Sequence, residues 1–218
     1  MLLTKTFNDN KKDNKKRRDT LNYIAFLKFW SMILIIRWHL YKGISHKIDY
    51  GARMCEFLFI SSGFLVGYNY YKRAMPSTYY ASCKYTYRHL RAFYPLHTIN
   101  SFYWICSYKS KFNLTDYEIL IYNFLLVKVW SRRRHLAGSF NGISWFVSAL
   151  LFCYFLCPFL LGGIQNINNS LIIFSLVAFI RIGIEQLIKN GAKNIMDFNF
   201  HYSPVIRLMD FYLGMLIG

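Results

Sequence analysis

Apolar positions run almost unbroken through seven stretches of the chain: 21–40, 54–71, 90–108, 116–130, 143–163, 169–188, and 203 to the end. Most approach the ~20 residues that a helix needs to cross a bilayer's hydrocarbon core. The pattern predicts an all-α, polytopic transmembrane bundle of six to seven spans, buried against lipid and against one another. The stretch 116–130 is short for a span. If it lies along the membrane instead of crossing it, every later loop changes side.

Before the first span, residues 1–19 contain "DNKKDNKKRRD", polar and mixed in charge. This reads as a disordered basic cytoplasmic tail, followed by a transmembrane domain over 20–218. No small-residue cleavage pattern follows the apolar run, so the first span is expected to be retained.

Composition agrees with the membrane reading: 55% of the 218 residues are hydrophobic and 20% aromatic, despite 27 Lys and Arg and a net charge of +17. With the N-terminus cytoplasmic and 116–130 crossing, the inner segments carry the Lys5–Arg18 cluster, Lys72, Arg73, Lys84, Arg88, Arg91, Arg132 to Arg134, Lys189 and Lys193. Outer segments carry only Lys42, Lys47, Arg53, Lys109 and Lys111. That asymmetry follows the positive-inside rule and sets the surplus charge beside an anionic inner leaflet. Nucleic acid is therefore not needed to explain the basicity. The five cysteines are dispersed without a CxxC pair, and His46, His89, His97, His135 and His201 share no spacing with acids or cysteines, so metal and disulfide roles have no support. No glycine-rich phosphate loop is present.

The first span, "LKFWSMILIIRWHL", holds Lys28, Arg37 and His39. Lys28 and His39 are eleven residues apart, which on a helix sets them within ~20° of one face and ~16 Å apart, with Arg37 roughly opposite. Either this stripe faces the bundle interior as a site, or Lys28 and His39 reach to opposite interfaces. Arg181 with Glu185, and Arg207 with Asp210, have the spacing of ion pairs within a helix. The tyrosine-rich span ends read as an aromatic belt.

Several further stretches, in order, resemble the acyltransferase-3 family of integral membrane O-acyltransferases. The family's basic residue, ten positions and histidine are matched by Lys28 and His39. Its acidic residue and phenylalanine-rich run are matched by "CEFLFISSGF" through Glu56, Phe57, Phe59, Ser62, Gly63 and Phe64. Its Arg-x-x-Arg and Tyr-Pro are matched by Arg88, Arg91, Tyr94 and Pro95. "NGISWF" (Asn141, Ser144, Trp145) and "SPVIRLMDFYLG" resemble its later segments. Arg37 stands where the family is usually apolar. The family has roughly ten spans, so the chain reads as C-terminally truncated.

The resemblance implies transfer of an acyl group, commonly acetyl, from acyl-CoA to a hydroxyl of a cell-surface carbohydrate or lipid-linked saccharide at the bacterial inner membrane. On that reading His39 is the general base and Lys28 shapes the field near the donor. Arg88 and Arg91, three apart on a helix, would hold the phosphates of acetyl-CoA or another acyl-CoA; otherwise they are ordinary positive-inside anchors. Ser62 and the Trp145 indole are candidate oxyanion or pocket donors. Glu56 either orients His39 or pairs with Lys42 or Arg53. A non-enzymatic carrier (flippase), a polymerase of lipid-linked saccharides, and an inactive acyltransferase fragment are the competing readings.

Overall fold

The computed structural model describes residues 2–41, 50–70, 76–108, 114–130, 142–165, 170–189 and 201–218. Among these the protein is all-helical: α1 (Leu2–Leu40), α2 (Tyr50–Tyr70), α3 (Tyr79–Tyr108), α4 (Leu114–Phe124), α5 (Ser144–Gln165), α6 (Ser170–Lys189) and α7 (Pro204–Ile217), with a 3-10 turn at Lys128–Trp130. Three segments are long and apolar enough to cross a membrane, Lys15–Leu40, Ser144–Ile164 and Ser170–Leu187. Along α1 and α6 large apolar side chains such as Phe29, Trp30, Leu176 and Phe179 stay exposed. A soluble protein of this size rarely leaves such faces open, so they point to a lipid setting.

Helix α1 begins at Leu2, so residues 2–19 of the segment expected to be disordered continue the first span as helix. Once a span is formed, extending it adds one hydrogen bond per residue without a new nucleation cost.

The centre of the molecule is the pairing of α2 with α7, which run in the same direction. Each brings two glycines, four apart, to the crossing: Gly63 and Gly67 on α2, Gly214 and Gly218 on α7. A Cβ at Gly63 would stand 1.8 Å from the Phe211 carbonyl oxygen, and one at Gly214 would stand 1.9 Å from that of Ile60. Backbone therefore meets backbone here, the packing that paired small residues permit in membranes. Ser203 caps α7, accepting a hydrogen bond from the Ile206 amide, with Pro204 at the first helical position.

Contacts fix two ends. At the near end Arg17 donates to Asn69 at 2.9 Å, and Gly162 of α5 faces Ser77. At the far end Trp38 covers Gly51, Trp145 packs on His201 and Tyr202, and Arg53 of α2 meets Glu185 of α6. Helices α1, α2, α3, α5 and α7 have contacts toward both ends, and α6 is fixed at the far end through Arg181 and Glu185.

Segment 116–130 does not. Helix α4 has 11 residues, ~16 Å of length. The helix closes at Leu126, whose φ of 55° is left-handed, and the chain runs on beside α5, with Ser148 against Leu126 and Phe152 against Trp130. Such backbone costs on the order of 1 kcal/mol in a non-glycine residue and persists only where neighbours hold it. Asn123 is that anchor. Its carbonyl accepts from His97 Nε2 at 2.9 Å and from the Leu126 amide at 3.1 Å, its Nδ2 donates to Ser101 at 2.9 Å, and its Oδ1 accepts from Ser144 at 3.1 Å. Ser148 donates to the Leu126 carbonyl. The turn is thus tied both to the inner part of α3 and to the start of α5. Non-helical backbone at that depth is tolerated because protein surrounds it.

The expected crossing at 116–130 is corrected accordingly: α5 lies antiparallel to α3, with Gly162 by Ser77, Tyr154 by Tyr85, and Ser144 and Ser101 both on Asn123, so α5 starts at the end where α3 closes. Lys189 at the close of α6 also falls at the far end, opposite the N-terminus, so the expected charge asymmetry loses one member. Arg132 to Arg134 and Lys193 lie outside the described residues. A cysteine-free background tests this arrangement. Cysteines placed at Tyr41 and Gly142 should react with a membrane-impermeant maleimide from one side of sealed vesicles, and one at Gly163 only from the other.

Candidate functional site

The expected residues separate into three groups, at different levels of the bundle. The first is a polar layer at mid-height. Lys28 of α1 donates from Nζ to Ser62 Oγ at 3.0 Å, and Ser62 in turn donates to the Leu58 carbonyl at 2.7 Å. The Tyr154 hydroxyl of α5 faces Ser62. On the other side of Tyr154 stands His89 of α3, ring centroids 4.1 Å apart. His89 also lies 4.5 Å from the Tyr85 ring, and its Nδ1 is 2.9 Å from the Tyr85 carbonyl. A carbonyl can only accept, so Nδ1 carries the proton and Nε2 is left as an acceptor.

Four helices thus contribute Lys28, Ser62, His89 and Tyr154. An ammonium has three donors, and among the described residues Lys28 uses one of them, on Ser62.

The second feature is a pocket at the near end, about 260 Å³ in volume, walled by Tyr70, Thr78, Tyr80, Lys84, Tyr85 and Arg88 with Pro76 and Ala81. It sits at the N-terminus of α3, where Thr78 caps the helix by accepting from the Ala81 amide at 3.2 Å. A helix start, Lys84 and Arg88 together favour an anion. Helical side chains lean toward the N-terminus, so Arg88 reaches back to the mouth. Three tyrosines offer flat apolar walls to whatever carries the anion. The Tyr85 ring is shared between the pocket wall and the His89–Tyr154 stack, so pocket and polar layer are adjoining spaces.

This corrects one expected pairing. Arg88 lines the pocket with Lys84, four residues earlier, whereas Arg91 is exposed and does not line it. The spacing of Lys84 and Arg88 was visible in the sequence, but Lys84 read there only as one more cytoplasmic charge.

The third group lies at the far end, where three arginines and three carboxylates from α2, α6 and α7 form one network. Glu56 meets Arg53 at 2.9 Å, Arg181 at 2.8 Å and Arg207 at 3.6 Å. Glu185 meets Arg53 at 2.6 Å and Arg181 at 2.5 Å. Asp210 meets Arg181 and Arg207, both at 2.8 Å. The Arg207 guanidinium is fully buried and lies 5.8 Å over the Phe59 ring. Its contact with Asp210 is close but poorly aligned, because neither group completes a hydrogen bond there. We read it as an ionic contact.

The expected pairs Arg181–Glu185 and Arg207–Asp210 are both present. Glu56 takes the alternative of pairing with Arg53, and its contacts are all with arginines. His39 is exposed and packs on Trp38 at 4.9 Å. The structure therefore does not join Glu56 to His39. Trp145 belongs to a far-end aromatic group with Phe59, Phe146, His201 and Tyr202, away from Ser62. Asn141 and Lys42 lie outside the described residues. All five cysteines are free, and no metal-binding group of His, Cys, Asp or Glu occurs among the described residues.

Fold and site together define a helical protein with membrane-length apolar helices, a cationic end pocket and a polar layer at mid-height. Comparison of the chain with protein-family models, curated proteins and solved structures finds no match.

Proposed function

We propose that the protein is a membrane-bound O-acyltransferase that moves an acyl group, acetyl in the simplest case, from acyl-CoA to a hydroxyl of a cell-surface carbohydrate. In this reading α1, α2, α3, α5, α6 and α7 form a six-span bundle in a bacterial inner membrane, with the near end cytoplasmic. The observation that carries it is the adjacency of the Lys84–Arg88 pocket to the Lys28–Ser62 layer. Acyl-CoA needs both: cations and flat walls for a phosphorylated nucleotide, and N–H donors farther in for the carbonyl oxygen that becomes negative during transfer. A carrier of lipid-linked saccharides needs the first without the second. The order of motifs resembling acyltransferase-3 proteins supports the same reading.

The test is binding of radiolabelled acetyl-CoA to the full chain in liposomes, together with mass spectrometry of O-acetyl esters on cell-surface glycans. Charge-assisted hydrogen bonds contribute about 1.5–3 kcal/mol each, so Lys84→Ala or Arg88→Ala should weaken acetyl-CoA binding by about tenfold to a hundredfold. Arg91→Ala should weaken it less than either. Binding that ignores both pocket cations would remove the pocket from the reaction, and absence of O-acetyl esters attributable to the protein would remove the reaction itself.

A further inference from the structure

We propose that His89 is the general base of the acyl transfer, an inference that rests on the acyltransferase reading above. The argument is one of reach. A donor held by its phosphates at the near-end mouth presents its thioester at the end of a pantetheine arm, the length of about five extended residues, or ~17 Å. His89 stands eleven residues in from Thr78, a rise of ~16 Å along α3. Lys28 stands the same eleven residues in from Arg17, whose side chain meets Asn69 beside Tyr70 of the mouth. Both therefore fall where the thioester arrives. His39 is 22 residues beyond Arg17, ~33 Å along α1 and about twice the length of the arm.

The histidine at mid-height also has the right form. Its Nδ1–H is held by the Tyr85 carbonyl, which fixes the neutral tautomer with the Nε2 lone pair available. Nε2 makes no hydrogen bond among the described residues, and the ring is half-buried between Tyr85 and Tyr154. Among the described residues, His97 is fixed by Asn123 against the α4 turn with its Nδ1 sealed, and His201 packs on Trp145 at the far end. Asn123, the partner of His97, is held by Ser144 at the start of α5, whereas Tyr154, farther along α5, reaches both Ser62 and His89.

In the step so assigned, the acceptor hydroxyl oxygen attacks the thioester carbonyl carbon as His89 Nε2 takes the hydroxyl proton. Lys28 N–H and the Tyr154 hydroxyl face the oxygen that becomes negative. The C–S bond then breaks and the thiolate of coenzyme A takes the proton back from His89. An ester and a free thiol result, with no change of oxidation state.

The deciding variant is His89→Asn, because an asparagine amide can replace the Nδ1–H bond to the Tyr85 carbonyl and lacks the Nε2 lone pair; His89→Gln serves as the second form. Both are measured in the full chain, for radiolabelled acetyl-CoA binding in liposomes and for O-acetyl esters on cell-surface glycans. Loss of a general base lowers turnover by about a hundredfold or more, so transfer should fall by that factor in whichever form folds, with acetyl-CoA binding kept within about threefold. A folded variant that transfers acetyl at the wild-type rate overturns the assignment while leaving the acyltransferase reading intact. A variant that loses binding and transfer in equal measure overturns it too, because His89 is then part of the pocket wall. Wild-type protein that neither binds acetyl-CoA nor forms esters overturns the reading and the inference together.

Discussion

Gly214→Leu should leave the protein unable to close α2 against α7, with the detergent-solubilised thermal midpoint lowered by ~10 °C or more, or with loss of a monodisperse species altogether. The first added atom already stands 1.9 Å from the Ile60 carbonyl oxygen and 2.8 Å from the Phe64 amide nitrogen. Both obstacles are backbone within a helix, so no rotamer change relieves them. Overpacking against mobile side chains costs about 1–3 kcal/mol, and a clash between two helix backbones should exceed that range. Separation of the helices would also pull Arg207 and Asp210 from Glu56 and Arg181, so the packing defect and the ionic defect add. Gly163→Ala is the matched comparison, because a Cβ there meets nothing within 4 Å. Helical propensity alone should then make it neutral or stabilising by ~0.5–1 kcal/mol. Equal melting of both variants would show that the glycine crossing is not what holds the two helices.

The second large effect is expected at Glu56. Changing it to glutamine leaves three arginines facing two carboxylates, one of those arginines fully buried. Removing one partner of a buried ion group costs about 3–5 kcal/mol, since the cation left behind is neither hydrated nor paired. The thermal midpoint of Glu56→Gln should fall by ~10 °C. Adding Arg207→Met should recover part of the loss, because the excess charge goes and a flexible apolar chain takes its place over Phe59. This pair of variants also separates two roles for the carboxylate. If Glu56 oriented a catalytic histidine, Glu56→Gln would depress transfer with the melting point unchanged, and Arg207→Met would not help.

Much of the local structure was legible because it depends on near neighbours in sequence. The ion pairs Arg181–Glu185 and Arg207–Asp210 followed from helical spacing, and both formed. What spacing could not supply was their union. Arg181 reaches Glu56, a residue 125 positions earlier, and the three pairs become one network only when α2, α6 and α7 converge. The glycines were equally visible, as GFLVG at 63–67 and GMLIG at 214–218. Two four-residue glycine spacings signal close helix contact, but not that each is the other's partner.

The candidate site shows the same division. Lys28, Ser62 and Arg88 stood out by residue type and span position, and the structure joins Lys28 to Ser62 and sets Arg88 in the pocket wall. His89 and Tyr154 did not stand out, because one read as a residue between two arginines and the other as part of an aromatic run. Near one end of a hairpin, Glu56 could by sequence either orient His39 or pair with Lys42 or Arg53. The carboxylate takes Arg53, together with the guanidinium of Arg181.

By itself the sequence determined the all-helical class, the apolar helices and the basic surplus, since hydropathy and charge are properties of each segment alone. Only the tertiary structure decided that residues 116–130 do not carry the chain to the other end, that Lys84 and not Arg91 joins Arg88, and that four helices bring Lys28, Ser62, His89 and Tyr154 to one level. The reason is physical: an apolar run lowers its free energy equally well by crossing or by ending short under cover. The choice rests on whether distant side chains, here His97, Ser101, Ser144 and Ser148, satisfy the backbone and the Asn123 amide at the turn.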